Sequence, residues 1–291
     1  MLNRLLQRLS AKPGGATAPL PEMINLAAQP LLRLIDPGYS DGFSALVKSS
    51  QGLFIINRYD TGVGMQLGNY NAYAPEEVAI IQQLVRAAPA DPVVLDIGAN
   101  IGVVTLAMAR AAGRGGLVHA FEAQRVVFHM LAGNMALNGV ENVHCHHMAV
   151  GAQAGNARVA RLDYRAQGSF GSLELNRETQ SDLGQQAQDG AFEEVRMDSI
   201  DSLQLPRVDV IKIDVEGMEP EVLAGAARTL RAHRPLLYVE HLKTGREPLW
   251  RLLRDLGYLA FEMQDNFIGL PQGDPRTAAI TGDAAPWSPP A

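Results

Sequence analysis

The sequence predicts an α/β protein, a mostly parallel sheet wrapped by helices on both faces and preceded by a small β-rich cap. Three observations carry that expectation. The apolar run Val93-Val94-Leu95 has no alternation, as a strand covered on both faces requires. Strand and helix patterns then alternate for most of the remaining chain, the signature of crossover connections in a parallel sheet. Between the first strand and the first helix of that series lies the turn Gly98-Ala99-Asn100-Ile101-Gly102, which lets the backbone bend sharply and approach a ligand.

Taken in order, residues 1–12 place Leu2, Leu5, Leu6 and Leu9 at helical spacing beside Arg4, Arg8 and Lys12. This is a short amphipathic helix suited to docking on the body or to weak membrane association. The Gly, Ala and Pro of 12–21 read as a linker, so that 1–22 form a helix and linker and 23–74 the cap. Short strands are expected over 41–68, where Phe43, Leu46 and Phe54-Ile55-Ile56 lie between turn residues. Ala74-Pro75-Glu76-Glu77 opens a helix through Val85, with Val78, Ile81, Leu84 and Val85 on one face. The main domain, 75–271, continues with helices over 103–112, 126–137, 220–231 and 248–256. Its strands are expected over 116–121, 143–150, 208–213 and 236–240, and a closing hairpin over 258–263 and 266–270. The stretch 158–197 breaks the rhythm. It holds an apparent hairpin, the loop Gly168-Ser169-Phe170-Gly171-Ser172 and the Gln-rich segment 180–188, and reads as a lid or acceptor-recognition element with Ser169 and Ser172 as contacts. Residues 272–291, rich in Gly, Pro, Ala and Thr, are expected to be a disordered tail.

Charge selects the cofactor. The helix after Gly102 points its free N–H groups at the turn, and Glu122 ends the second strand about 20 residues on, where a carboxylate can grip ribose hydroxyls. Where dinucleotide-binding turns have their first glycine this chain has Asp96, which would repel a diphosphate and favour a cation. S-adenosylmethionine carries an ammonium and a sulfonium and no phosphate, so Asp96, Gly98, Asn100, Gly102 and Glu122 suit it. A nicotinamide-dependent oxidoreductase and a non-catalytic S-adenosylmethionine-binding module are the alternative readings.

The strings Asp96-Ile97-Gly98-Ala99-Asn100-Ile101-Gly102, Phe121-Glu122, Ala149-Val150-Gly151 and above all Ile211-Lys212-Ile213-Asp214-Val215-Glu216-Gly217-Met218-Glu219 resemble the FkbM family of S-adenosylmethionine-dependent methyltransferases, over roughly 70–269. The resemblance implies a Rossmann-like class I methyltransferase fold, a seven-stranded sheet whose last strand is antiparallel. It also implies O-methylation of a hydroxyl on a sugar, glycolipid or polyketide-type metabolite. Ala149 joins the cofactor residues on this ground, and Tyr73, with Tyr70, matches an aromatic approach segment. One departure is Ala123, where the family has proline after Phe-Glu.

Chemistry is expected at the carboxyl ends of the fourth and fifth strands. Parity places Lys212 and Asp214 on one face, and a lysine within an apolar strand needs a partner. Lys212, Asp214, Glu216, Glu240 and His241 would face the transferred methyl, with His241 or Asp214 as the base. The carboxylates Asp214 and Glu240 would alternatively permit Mg²⁺. His144, Cys145, His146 and His147 mimic a metal cluster, but alternate residues of a strand face opposite ways. Trp250 reads as helix core.

A net charge of −6 without a basic block gives no long-range attraction for nucleic acid, which leaves a small molecule or glycan as the acceptor. The single Cys145 excludes an internal disulfide and fits a reducing cytoplasm. No apolar stretch reaches membrane-spanning length.

Overall fold

A computed structural model describes residues 42–173 and 187–290, apart from the side chains of Ser172 and of 187–190. The expected N-terminal helix and linker, the cap before residue 42 and the Gln-rich residues 180–186 lie outside the described residues.

The cap begins as the expected hairpin. Strands β1 (Ser44–Lys48) and β2 (Leu53–Asn57) pair antiparallel, and their alternation buries Ala45, Val47, Phe54 and Ile56. The strand pattern expected up to residue 68 gives way instead to helix α1 (Val63–Tyr70). Local chemistry explains the difference. The Asp60 carboxylate accepts from the N–H groups of Gly62 and Gly64, which a helix start would otherwise leave orphaned. Val63 and Leu67, one turn apart, bury the same face. Helix α2 (Pro75–Ala87) has its proline in the first turn, where the missing N–H costs nothing, and buries Val78, Ile81, Leu84 and Val85.

The main sheet runs through β3 (Val93–Ile97), α3 (Val103–Ala112), β4 (Leu117–Glu122), α4 (Arg125–Leu137) and β5 (Val143–His147). A side excursion follows, with β6 (Ala149–Val150), β7 (Gly155–Leu162) and β8 (Ala187–Asp198) forming a separate small sheet in the order β6-β8-β7. The chain returns as β9 (Val210–Ile213), α5 (Glu219–Gly225), α6 (Ala227–His233), β10 (Leu236–Glu240), α7 (Arg246–Asp255), β11 (Tyr258–Met263) and β12 (Asn266–Pro271). The seven strands lie in the order β11-β12-β10-β9-β3-β4-β5, with β12 antiparallel to both neighbours. This is the Rossmann-like α/β arrangement the sequence predicts. Because β4 flanks β3 on one side and β9 on the other, the order reverses at β3, and a crevice opens at the carboxyl ends there. No helix among the described residues is long and apolar enough to cross a membrane.

Two expected elements are divided. The single strand over 143–150 ends at His147, because the Met148 N–H turns back to the Glu122 and His146 carbonyls and Ala149-Val150 pairs with β8. The helix over 220–231 breaks at Ala226, where the Asp201 carboxylate accepts from the Arg228 and Thr229 N–H groups and so starts α6 afresh.

The expected disordered tail is a correction. Residues 277–281 form helix α8, Ile280 is buried in the α2–α3 core, and Trp287 packs against Trp250 and Phe267. The Trp287 N–H also donates to the Ala260 carbonyl at 2.7 Å, on edge strand β11. Composition misled because one indole and one isoleucine supply the apolar area that offsets the ordering entropy of a polar segment. Truncation after Gln272 is expected to cost about 2–3 kcal/mol and lower the melting temperature by roughly 4–10 °C. An unchanged melting curve would show that the docking adds nothing.

The hairpin is bound to the main domain by two asparagines one turn apart, Asn134 within α4 and Asn138 capping its end. Asn134 accepts from the Ile55 N–H at 2.6 Å and donates to the Ile55 carbonyl, while Asn138 does the same for Leu53. The edge of β2 thus finds partners in side-chain amides where a third strand would have supplied backbone.

Candidate active site

The glycine turn after β3 is shaped first by protein and only then by any ligand. Gly98 has φ +80°, and a Cβ there would lie 1.8 Å from the Asp214 carbonyl oxygen. The turn therefore touches the end of β9 directly. Gly102 has φ +89° and abuts Leu131 and Met135 of α4. Asn100 has φ +52°, a left-handed conformation that asparagine tolerates, and its Oδ1 accepts from the Ile101 N–H.

Under the turn lies a buried ion cluster. The Lys212 ammonium donates to the Gly98 carbonyl at 2.9 Å, pairs with Asp214 at 3.1 Å and stands 3.6 Å from Asp96. Asp96 is 0% exposed and also accepts from the Thr105 hydroxyl. Burial alone would lower the lysine, yet Asp214, Asp96 and Glu77 hold it above its ordinary value, so it remains an ammonium. Asp96 accordingly does not reach the cleft. Its negative charge is matched inside the protein by Lys212, which locks the turn to β9 and itself lines the cleft.

Glu122 occupies the other side. It is 7% exposed, and its two oxygens accept from the Asn100 and Gln124 N–H groups at 2.9 and 2.8 Å. Each carboxylate oxygen retains a lone pair, and the residue lines the cleft. Burial pushes its carboxyl up to about 7 despite those two bonds. The cleft is lined also by Gly98, Asn100, Ala149, Tyr73 and Glu216.

The glycine-serine loop covers this end of the cleft. Its 3-10 turn, Phe170–Ser172, is held by the Gln124 side chain donating to the Phe170 carbonyl, and a Cβ on Gly171 would lie 2.2 Å from Asn100 Nδ2. The loop thus closes over the glycine turn. Ser169 stands against Gly62 at the start of α1, outside the cleft lining, and the Ser172 side chain lies outside the described residues.

At the β9–β10 end the structure separates residues that the sequence grouped. His241 is turned to the opposite face of the sheet, packed on Phe267 with Nε2 3.9 Å from Glu262. Burial, with Arg246 nearby, lowers its pKa. Parity is the reason: Glu240 follows Tyr238 onto the α2 face, and its neighbour must face away. Glu240 itself does not line the cleft, has a buried Oε2 without a partner, and is pushed up to about 9 by burial and then by Asp214, Glu216 and Glu219. Glu216, with φ +59°, pairs with Lys243 at 2.7 Å. Glu219 holds this turn, accepting from the Val215 and Gly217 N–H groups and from the Thr244 hydroxyl.

Glu77 was not singled out by the sequence, where a glutamate in the first turn of a helix is ordinary. In the structure α2 delivers it to the cleft wall, near Lys212 and Asp214. Gln124 likewise had no signal beyond its place after Glu122. Tyr73 reaches the same wall because Gln51, in the cap hairpin, both accepts from its N–H and donates to its carbonyl.

Among the described residues no group of three or more His, Cys, Asp and Glu is placed to hold a metal ion. Lys212 stands beside Asp214 where a cation would bind. In the histidine run, His146 stacks on Phe121 and meets His119, Nε2 to Nδ1, at 3.0 Å. Burial, then His146 and His144, lowers His119 to about 4.

With this geometry in place, similarity to known proteins is informative. The methyltransferase FkbM domain matches residues 96–260, from the buried aspartate of β3 into β11. The chain belongs to the FkbM methyltransferase family. Among solved structures, an FkbM methyltransferase from Methylobacillus flagellatus KT is similar at 18% identity and a TM-score of 0.42, over 62% of this chain and 44% of that one. This FkbM-family chain thus spans less than half of that relative. A precorrin-6y C5,15-methyltransferase from Geobacter metallireducens GS-15 aligns at 15% identity and TM-score 0.39, over 67% of this chain and 86% of that one. A SAM-dependent methyltransferase from Aquifex aeolicus aligns at 14% identity and TM-score 0.37, over 84% and 97%. No curated protein matches the chain.

Proposed function

We propose that this FkbM-family chain is an S-adenosylmethionine-dependent O-methyltransferase acting on a hydroxyl of a neutral small molecule or glycan, such as a sugar, glycolipid or polyketide-type metabolite. The observation that carries the reading is Glu122, a carboxylate sealed against the glycine turn with lone pairs left toward the cleft. The residues fit the cofactor. Glu122 would hold the ribose diol, the turn from Gly98 to Gly102 would pass beneath the amino-acid portion, and Ala149 with Gln124 would border the base. When bound, S-adenosylmethionine supplies a methyl group on a sulfonium that is already a good leaving group.

The remaining work falls to the chain itself, which must orient the acceptor and take its proton. Glu77, Asp214 and Glu216 face the cleft against the ammonium of Lys212, with Glu216 already paired to Lys243. Such a wall, three carboxylates against two ammoniums, disfavours multiply charged phosphates and accepts hydrogen bonds from hydroxyls. It disfavours a nucleic-acid acceptor and a diphosphate cofactor alike.

Calorimetry with S-adenosylhomocysteine tests the cofactor assignment. Glu122→Ala is expected to weaken binding by about 1–3 kcal/mol, the cost of charge-assisted bonds to ribose. The wild-type affinity should also fall as pH drops below about 7. The sign follows from the ribose diol binding the ionised carboxylate, which lowers its pKa in the complex, so that binding competes with a proton on the free protein. Equal affinity at pH 6 and pH 8, or in Glu122→Ala, would remove Glu122 from the ribose site. Release of S-adenosylhomocysteine across a panel of hydroxylated acceptors then tests O-methylation.

A further inference from the structure

We propose that Glu77 is the catalytic base of the transfer, taking the acceptor hydroxyl proton at the cleft wall. The inference rests on the methyltransfer reading above and adds the residue that completes it. A base must reach the reacting atoms, carry a free lone pair and titrate near the working pH. Of the ionisable groups at this end of the cleft, His241 lies across the sheet and Glu240 stands outside the cleft lining with its carboxyl raised by burial. Asp214 is held by the Lys212 ammonium, and Glu216 by Lys243. Tyr73, pushed above its ordinary range chiefly by burial and then by Asp214 and Glu77, keeps its proton.

Glu77 lines the cleft without an ion pair or hydrogen bond to its carboxylate among the described residues. It comes from α2 and feels the Lys212 ammonium through space, without a salt bridge to it among the described residues. The groups that face it are Tyr73 ahead of its own helix, Asp96 on β3, Lys212 and Asp214 on β9, and Tyr238 on β10. Burial raises it to about 7, with Lys212 opposing and Asp214 and Asp96 adding. It is therefore ionised above neutrality yet basic enough to accept a proton.

In the step assigned to it, the acceptor oxygen forms a bond to the methyl carbon as the carbon–sulfur bond breaks and its electron pair returns to sulfur. The hydroxyl proton passes to a Glu77 carboxylate oxygen and from there to solvent. Charge balances, since the sulfonium cation and the carboxylate anion are both neutralised.

Binding of two stable ligands tests this without knowledge of the acceptor. Sinefungin places a protonated amine where the transferable methyl sits, whereas S-adenosylhomocysteine has nothing there. Both keep the same α-ammonium. Wild type is expected to prefer sinefungin by about tenfold or more at pH 8, with the preference shrinking towards pH 6 as Glu77 takes up a proton. Glu77→Gln should bring the two affinities to within about twofold while leaving that for S-adenosylhomocysteine near wild type. Glu77→Asp, which keeps the charge on a shorter arm, should retain part of the preference, and melting curves of both variants establish that they are folded. A wild-type preference in Glu77→Gln, or its loss in Asp214→Asn alone, would overturn the assignment. So would an equal weakening of both ligands, which would place Glu77 at the α-ammonium. Failure of wild type to bind either ligand would instead overturn the cofactor reading, and the base with it.

Discussion

Lys212→Met is expected to cost about 3–5 kcal/mol of folding free energy, the loss found when one partner of a buried ion pair is removed. The methionine would fill the lysine's volume, so the penalty comes from charge. Asp96 would remain wholly buried with the Thr105 hydroxyl as its hydrogen-bond partner, and the Gly98 carbonyl would lose its donor. The pH dependence identifies the cause. Burial raises Asp96 in the folded state above its unfolded value even with Lys212 opposing it, and without the ammonium the shift grows, so the stability it contributes is present at low pH and lost as pH rises. The deficit against wild type should therefore be smaller at pH 5 than at pH 8 in chemical denaturation. Adding Asp96→Asn should recover much of it, because the unpaired charge goes too. A deficit independent of pH, or no recovery in the double variant, would show that Lys212 acts by packing.

Asn134→Leu is expected to cost about 2–4 kcal/mol and to weaken the cofactor site as well. One fully buried amide serves three backbone groups, the Ile55 N–H and carbonyl of β2 and the Ile101 carbonyl of the glycine turn at 2.8 Å. Leucine fills the space and leaves all three without partners, each a desolvation loss of roughly 1–3 kcal/mol before relaxation. Asn138→Leu should cost about half as much, because its partly exposed site lets water replace the amide. The distinguishing readout is S-adenosylhomocysteine affinity measured well below the melting temperature. It should fall in Asn134→Leu and hold in Asn138→Leu, since only Asn134 touches the turn. Equal affinity in both would confine Asn134 to joining the cap.

Much of the fold was legible in one dimension because it depends on local pattern. The limits of α3 and β10 coincide with those expected from periodicity, since each is a predominantly apolar run. The elements that differed were decided by side chains distant in sequence or by short polar contacts. Asp201 restarts a helix at Arg228, Asp60 turns an expected strand into α1, and Trp287 brings the tail onto β11.

The site divides in the same way. The alternation of a strand is enough to put Lys212 and Asp214 together, and the strand–turn–helix spacing is enough to mark the glycine turn and Glu122. These are properties of the chain's own geometry, and the sequence determined them together with membership of an α/β methyltransferase family. Whether a charge reaches ligand or protein is a different kind of question, because it depends on what fills the space opposite. The tertiary structure alone decided that Asp96 is neutralised by Lys212, that His241 faces Phe267 across the sheet, and that α2 swings Glu77 to the cleft. Each outcome is set by packing between segments many residues apart, where desolvation and pairing of charge depend on all neighbours at once and periodicity along one strand carries no record of them.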